Sequence, residues 1–439
     1  MLSTLALARS FDRPVRLLLI NQLTINTGFY MLMPYLAGHL SGNLGLSAAL
    51  VGLVLGVRNL SQQGMFLIGG SLADRLGCKP MIVAGCALRT VAFLLLGVAG
   101  SVPVLIVASA LTGLAGALFN PAVRAYLTHR AGDRKVEAFA AFNAFYQLGI
   151  LIGPLIGLVL NGVAFRLVCL TAGLMFAVLT VAQIRALPAQ AGGAAGTRRT
   201  MLADWREALA NRAFLMFSAA MAGSYILNFQ VYLGLPLEVR RTTASQAGVT
   251  AIFVISGVLT IAGQARVTGW AQRHWRPARA ITWGLVLMAG AFVPVALAAP
   301  FLRTAATSPG WPAHLLALLP IMAAAALLTL ATMIVYPFEM ATITTLGGER
   351  MVGTYYGLYS TLSGVGIAAG NLLSGAALDA GRAIGMPGLP WLALTLTGVI
   401  SALALYVLDR TNRLTPVPDL TTHPPENTAQ PARPATGTG

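Results

Sequence analysis

Residues 149–157 read Gly149-Ile150-Leu151-Ile152-Gly153-Pro154-Leu155-Ile156-Gly157, inside an apolar stretch that runs from 137 to 160. Glycines at four-residue spacing strip the side chains from one helix face, so a neighbouring backbone can pack there. Pro154 removes one helix hydrogen bond and permits a kink. In water such a segment is a poor helix. In lipid the breakers are tolerated, because packed neighbours re-satisfy the freed backbone groups. The stretch therefore predicts a helix that crosses a bilayer and is closely approached by others.

The rest of the chain repeats that prediction. It is 56% hydrophobic and 10% charged, where soluble domains carry roughly 25% charged residues. Its mean hydropathy is +0.75. Apolar windows occur at 15–37, 46–69, 80–100, 103–127, 137–160, 164–187, 211–236, 245–267, 278–299, 314–344, 351–378 and 389–408. Each is long enough to span roughly 30 Å of hydrocarbon as a helix. The prediction is an all-α, multi-pass membrane protein of twelve transmembrane helices.

The net charge of +16 would suggest a nucleic-acid partner in a soluble protein, but the placement of the charges explains it otherwise. One set of connections carries only Arg166, Arg240, Arg241, Arg303 and Arg382, whereas the opposite set holds runs such as Arg130-Ala131-Gly132-Asp133-Arg134-Lys135. This positive-inside bias puts both termini in the cytoplasm and leaves no role for nucleic acid. Met1 to Phe11 is too short for a cleavable signal and is followed by Arg13 and Arg16, so the first span serves as its own insertion signal. Cys78, Cys86 and Cys169 have neither metal-like nor paired spacing, and no metal or disulfide is expected. The segment 409–439, rich in Pro, Thr and Asn, is expected to be a disordered cytoplasmic tail.

A polar break at 188–210 divides the chain into a first six-helix bundle, 1–187, and a second, 211–408. It reads as a cytoplasmic linker with a short helix around Asp204-Trp205-Arg206-Glu207. Gly149 and Gly153 recur as Gly366 and Gly370, and Asn120-Pro121 recurs as Tyr336-Pro337, at offsets of 217 and 216. Parallel six-helix repeats of this kind build a substrate site at mid-membrane between halves that rock.

Gly70-Ser71-Leu72-Ala73-Asp74-Arg75-Leu76-Gly77-Cys78-Lys79 lies in the turn between the second and third spans. It resembles the loop signature of the major facilitator superfamily, with Gly70, Asp74, Arg75, Gly77 and Lys79 in its positions and Cys78 where a basic residue is usual. Gly149, Gly153, Pro154 and Gly157 fill every position of the "antiporter motif" on the fifth helix of exporters in that superfamily. Arg58-Asn59-Leu60-Ser61-Gln62-Gln63, Lys79-Pro80-Met81-Ile82-Val83 and Phe165-Arg166-Leu167-Val168-Cys169 resemble the H-type multidrug-resistance proteins of its drug:proton antiporter family. The resemblance implies export of lipophilic small molecules by alternating access, with the proton gradient as energy source and no cofactor. It also implies a monomer in the bacterial cytoplasmic (inner) membrane. A further family signature on the fourth span is half present: Gly113, Gly116 and Ala117 fit it, but Ser109 stands where an arginine is expected.

Charges inside a bilayer cost several kcal/mol unless they face a cavity or a partner, so each is a functional candidate. Arg58 lies near the middle of the second span with Gln62 one turn later. Glu339 is the acid well inside a predicted helix and the candidate for proton coupling. Arg124 holds the nearly repeat-equivalent place, which predicts an Arg124–Glu339 contact closing a cytoplasmic gate when the carrier faces outward. Polar and aromatic residues at helical spacing outline the cavity wall: Gln22, Asn26 and Tyr30; Tyr225, Asn228 and Tyr232; Asn143 and Tyr146; Tyr355 and Tyr359. Such a wall suits lipophilic or weakly cationic molecules. Pro154 has Asn371 as its counterpart in the second half, so of this pair the fifth helix alone carries the kink and is expected as the asymmetric element at the interface with helices 8 and 11.

An exporter of one metabolite or siderophore, with Arg58 binding a carboxylate, is the alternative reading. An enzyme is not expected: His39, His129, His274, His314 and His423 have no acid or nucleophile arranged beside them. Nor is there a filter-like repeat of a channel.

Overall fold

The computed structural model describes residues 9–131, 134–188, 201–243, 245–302, 310–347, 352–411 and 413. These are helical almost throughout, with no strand among the described residues. The helices are α1 (Arg13–Gly42), α2 (Ala48–Gly64), α3 (Phe66–Leu76), α4 (Cys78–Val98), α5 (Val102–Ala131), α6 (Lys135–Val163), α7 (Phe165–Ala186) and α8 (Met201–Ala210). They continue as α9 (Arg212–Asn228), α10 (Gly234–Thr243), α11 (Gln246–His274), α12 (Pro277–Gly290), α13 (Val293–Ala298), α14 (Gly310–Gly347), α15 (Val352–Ala383) and α16 (Leu389–Arg410). Short polar side chains start several of them: Asp12 caps Val15, Ser47 caps Leu50, Asn211 caps Phe214 and Ser245 caps Gly248.

Ten spans are long and apolar enough to cross a membrane, from Cys78–Val98 to Leu389–Arg410. They coincide with the ten apolar windows from 80–100 onward. The first two windows fall to helices of different character. α1 is 30 residues long, but the buried Asn21, Gln22, Asn26 and Thr27 dilute its apolarity. The second window is broken at Met65 into α2 and α3, of 17 and 11 residues. The short helix expected near Asp204 is α8. Residues 189–200 of the linker and 414–439 of the tail lie outside the described residues.

Large apolar side chains cover the outside of the bundle, among them Val159, Val163, Leu174, Val178, Leu316, Leu373 and Leu403. A patch of that extent is what lipid covers. Inside, glycines let backbones meet. Gly113 of α5 lies against the backbone of Arg58 in α2, and Gly52 and Gly56 of α2 lie against Asn371 and Ala368 in α15. α2 is thus wedged between α5 and α15, while α1 packs on α6, and α11 packs on α6 and α14. Between α3 and α4 the chain turns at Gly77, whose φ of 89° excludes most side chains.

Candidate functional site

α14 runs unbroken past Pro320 and Pro337, and two residues beyond the second proline it buries Glu339 to 3% exposure. A carboxylate placed there needs donors, because desolvation without hydrogen bonds is costly. Two tyrosine hydroxyls supply them. Tyr225 of α9 donates to Oε1 at 2.7 Å and Tyr359 of α15 donates to the same oxygen at 2.5 Å. Tyr359 is held in turn by the rings of Phe214, Phe217 and Tyr225, with centroids 5.8–6.4 Å away. Three helices therefore converge on one acid.

The Arg124–Glu339 contact, expected for a carrier that faces outward, is not made in this structure. Both donors on Glu339 are tyrosines, and the ion pairs between described residues do not include Arg124 with Glu339. Arg124 is exposed and instead acts electrostatically on Tyr336, one helical turn from Glu339. Tyr355 also leaves the predicted wall. It is buried edge-on against Phe214, and its hydroxyl accepts a hydrogen bond from Asn211 Nδ2 at 3.1 Å, at the start of α9.

A second cluster forms around Arg58. Its guanidinium lies 4.6 Å from the ring centroid of Phe29. Nη1 donates to Asn59 Oδ1 at 2.6 Å and Nη2 to Gln62 Oε1 at 2.5 Å. Tyr30, Tyr146 and Tyr232 are close enough to act on it electrostatically. Tyr232 of the segment between α9 and α10 donates to Tyr30 Oη of α1 at 3.3 Å, and Phe253 of α11 packs on both rings. The remaining wall residues are placed as follows. Asn26 donates to Gln22 O at 2.7 Å and packs under Gly149; Asn228 Oδ1 accepts from Thr332 at 3.4 Å; Asn143 is exposed.

α6 packs on α11, the eighth span, as expected, but its glycine motif turns to α1. Gly149, Gly153 and Gly157 lie against Asn26, Tyr30 and Tyr35 of α1, not against α11 and α15. The equivalent Gly366 and Gly370 lie against Ala222 and Ile226 of α9. At Pro154 the contact becomes polar: Tyr35 Oη donates to Pro154 O at 2.5 Å and also meets Thr250 Oγ1 of α11 at 2.5 Å. In the loop signature, Lys79 Nζ donates to Ile184 O of α7 at 3.0 Å and Gly70 lies near Pro121. The side chains of Asp74 and Arg75 lie outside the described residues.

Four residues escaped the sequence reading. Arg89 of α4 is 5% exposed, between the rings of Phe119 and Phe176. Its only signal was a charge in an apolar window. Tyr35 and Thr250 carried none, since Tyr35 breaks the four-residue spacing and a lone threonine in an apolar run is unremarked. Asp379 fell just past the eleventh window, and its carboxylate accepts from Ala48 N at 3.0 Å and Ala49 N at 2.8 Å, the first turn of α2.

Long apolar helices that bury charges and hydroxyls where several helices meet, together with the family match that follows, identify a membrane transporter rather than an enzyme. The model of the Major Facilitator Superfamily matches residues 18–371, and the chain belongs to that superfamily. It is 47% identical over 406 residues to the uncharacterized MFS-type transporter Rv0849 of Mycobacterium tuberculosis, covering 92% of this chain and 95% of that one. It is 30% identical over 390 residues to the multidrug resistance protein MdtH of Yersinia enterocolitica, covering 89% and 92%. Among solved structures, a peptide transporter POT in complex with sulfate superposes with a TM-score of 0.74 at 16% identity, covering 94% of this chain and 99% of that one. The nucleoside transporter NupG gives 0.74 at 13% identity, covering 89% and 99%.

Proposed function

We propose that this chain exports lipophilic small molecules from the bacterial cytoplasm across the inner membrane by proton antiport. In this reading it is a monomer of twelve transmembrane helices. The bundles 1–187 and 211–408 rock about a central site, with both termini in the cytoplasm. α1 and the α2–α3 pair complete the count, since α2 is wedged between two of the ten apolar spans.

The observation that carries the proposal is Glu339. A carboxylate buried among three helices and held only by hydroxyls can exchange a proton without breaking an ion pair, which is what coupling to a proton gradient requires. Export rather than import is supported by the complete Gly149–Gly157 motif and by the relatives named for multidrug resistance. With the charge bias setting the sides, the Tyr35–Thr250 and Asp379–Ala48 ties lie at the outer end, so the geometry fits a carrier closed to the outside.

Overexpression in a strain stripped of its own pumps tests the reading. It should raise resistance to several unrelated lipophilic antibiotics, and Glu339→Gln should abolish that resistance at equal expression. Everted vesicles should accumulate substrate only with an imposed pH gradient. Unchanged susceptibility, or accumulation that ignores the gradient, would overturn it.

A further inference from the structure

The charge around the Tyr30–Tyr232 cluster is one-sided. Arg58 lies eleven residues past Ser47, which caps α2, or roughly 16 Å along the helix and about half the hydrocarbon thickness. Its Nε is enclosed and has no acceptor among the described residues. The two acceptors it does have, Asn59 and Gln62, are neutral amides. Arg58 itself is half-buried, and the buried Arg89 is close enough for its charge to repel it.

Among the described side chains no carboxylate pairs with either arginine. By sequence, the first 187 residues contain only Asp12, Asp74, Asp133 and Glu137, none of them deep in an apolar window. In the second half, three described acids already have partners, and Asp409 lies in the last turn of α16. Glu238 is bidentate with Arg241, at 2.5 and 3.0 Å; Asp379 caps α2; Glu339 is held by two tyrosines. Toward the end of the bundle that holds Ser47, a cavity of about 140 Å³ repeats the pattern. It is lined by His39, Asn43, Asn161, Phe165, Arg240 and Gln246, contains no acid, and encloses an unpartnered His39 Nδ1.

A cation at mid-membrane depth without a counter-charge is expensive unless an anion visits it. Arginine presents a planar fork that matches a carboxylate or sulfonate, and the amides of Asn59 and Gln62 hold that fork in place until the anion displaces one of them. The rings of Phe29, Tyr30, Tyr232 and Phe253 meanwhile offer apolar faces beside it.

We infer that the molecules this transporter carries are lipophilic acids, an aromatic or aliphatic body bearing a carboxylate or sulfonate that Arg58 receives between α1, α2 and the Tyr232 segment. The inference rests on the reading of the chain as an exporter and replaces the weakly cationic substrates that a cavity wall of tyrosines and amides suggests. A cation placed in the same cluster would meet Arg58 and Arg89 with no acid to offset them.

Binding to the purified full chain in nanodiscs tests this with three probes of one shape: 1-naphthoate, neutral 1-naphthamide and cationic 1-naphthylmethylamine. Radiolabelled naphthoate should bind at least about tenfold more tightly than the amide, the scale of one charge-assisted pair, and the amine should be weakest. Arg58→Gln should erase the preference while amide affinity stays within about twofold, which also shows that the variant is folded. Arg58→Lys should keep part of it. Equal or reversed ranking in the wild type, no naphthoate binding at about millimolar concentration, or a preference that survives Arg58→Gln would each overturn the inference. Naphthoate transport in everted vesicles separates the two readings. Selective binding without transport sinks the exporter and leaves the anion site. Gradient-driven transport of antibiotics with no preference for the acid does the reverse.

Discussion

At Glu339 a single carboxylate oxygen collects two hydroxyl donors, and each should be separable by mutation. Hydrogen bonds to a charged group contribute about 1.5–3 kcal/mol, so losing one changes a step that depends on it by roughly tenfold or more. Tyr359→Phe removes the donor buried among Phe214, Phe217 and Tyr225 without opening a cavity, and Tyr225→Phe removes the other. Each should slow gradient-driven transport in everted vesicles by about tenfold. Gradient-independent exchange of substrate across the membrane should change much less. Equal loss in both assays would mean that the tyrosines shape the substrate path and do not serve coupling. The sequence revealed Glu339, Tyr225 and Tyr359 as separate candidates but paired the acid with Arg124. Repeat symmetry places positions on helices, and it does not say how the helices are rotated. Here the rotation turns Glu339 toward hydroxyls.

Among the helices, α6 shows where sequence patterning is strong and where it stops. Four-residue glycine spacing announced a bare face, and the structure has one. What the spacing could not name was the neighbour, because a bare face accepts any helix that offers a matching ridge. α1 offers it through Asn26, Tyr30 and Tyr35. A Cβ at Gly157 would fall 2.6 Å from the Tyr35 ring and closer still to Met31 O, contacts that a backbone cannot yield without moving α6. Gly157→Leu should therefore separate α6 from α1, costing about 1–3 kcal/mol. It should also remove the Tyr35–Pro154 hydrogen bond. The variant should insert and express, with a lowered thermal midpoint and impaired transport. Gly257→Leu on α11 is the control: a Cβ there meets Leu151 at 3.7 Å, ordinary contact, so the smaller loss belongs to it. Comparable loss from both would show that the α1–α6 contact is not special.

Over the whole molecule, two polar ties between described residues of the first 187 and those after 211 lie at the same end of the bundle, beyond the Tyr30–Tyr232 contact. Asp379 of α15 satisfies two of the free N–H groups that start α2, and Tyr35 of α1 joins Thr250 of α11 while holding Pro154. They use different helix pairs, so their effects should add. Losing a cap such as Asp379 costs about 0.5–2 kcal/mol, and losing a buried hydrogen bond about 1 kcal/mol. Together they amount to about 1.5–3 kcal/mol, whose upper end brings a state populated at about 1% to near parity. Asp379→Ala combined with Tyr35→Phe should therefore open this end in a large fraction of molecules, whereas each change alone leaves it mostly closed. Spin labels at Val163→Cys and Ala247→Cys, both exposed, report the opening as a second, longer distance once buried Cys78, Cys86 and Cys169 are replaced. A double variant whose distances match the parent would mean that glycine packing between α2 and α15 holds this end shut by itself. Neither tie was visible in the sequence. Asp379 lies at the end of an apolar window and Thr250 inside one, and a tie between segments more than 200 residues apart leaves no local pattern. The ends of the helices are where that information is stored, and they become legible only when the helices are stood side by side.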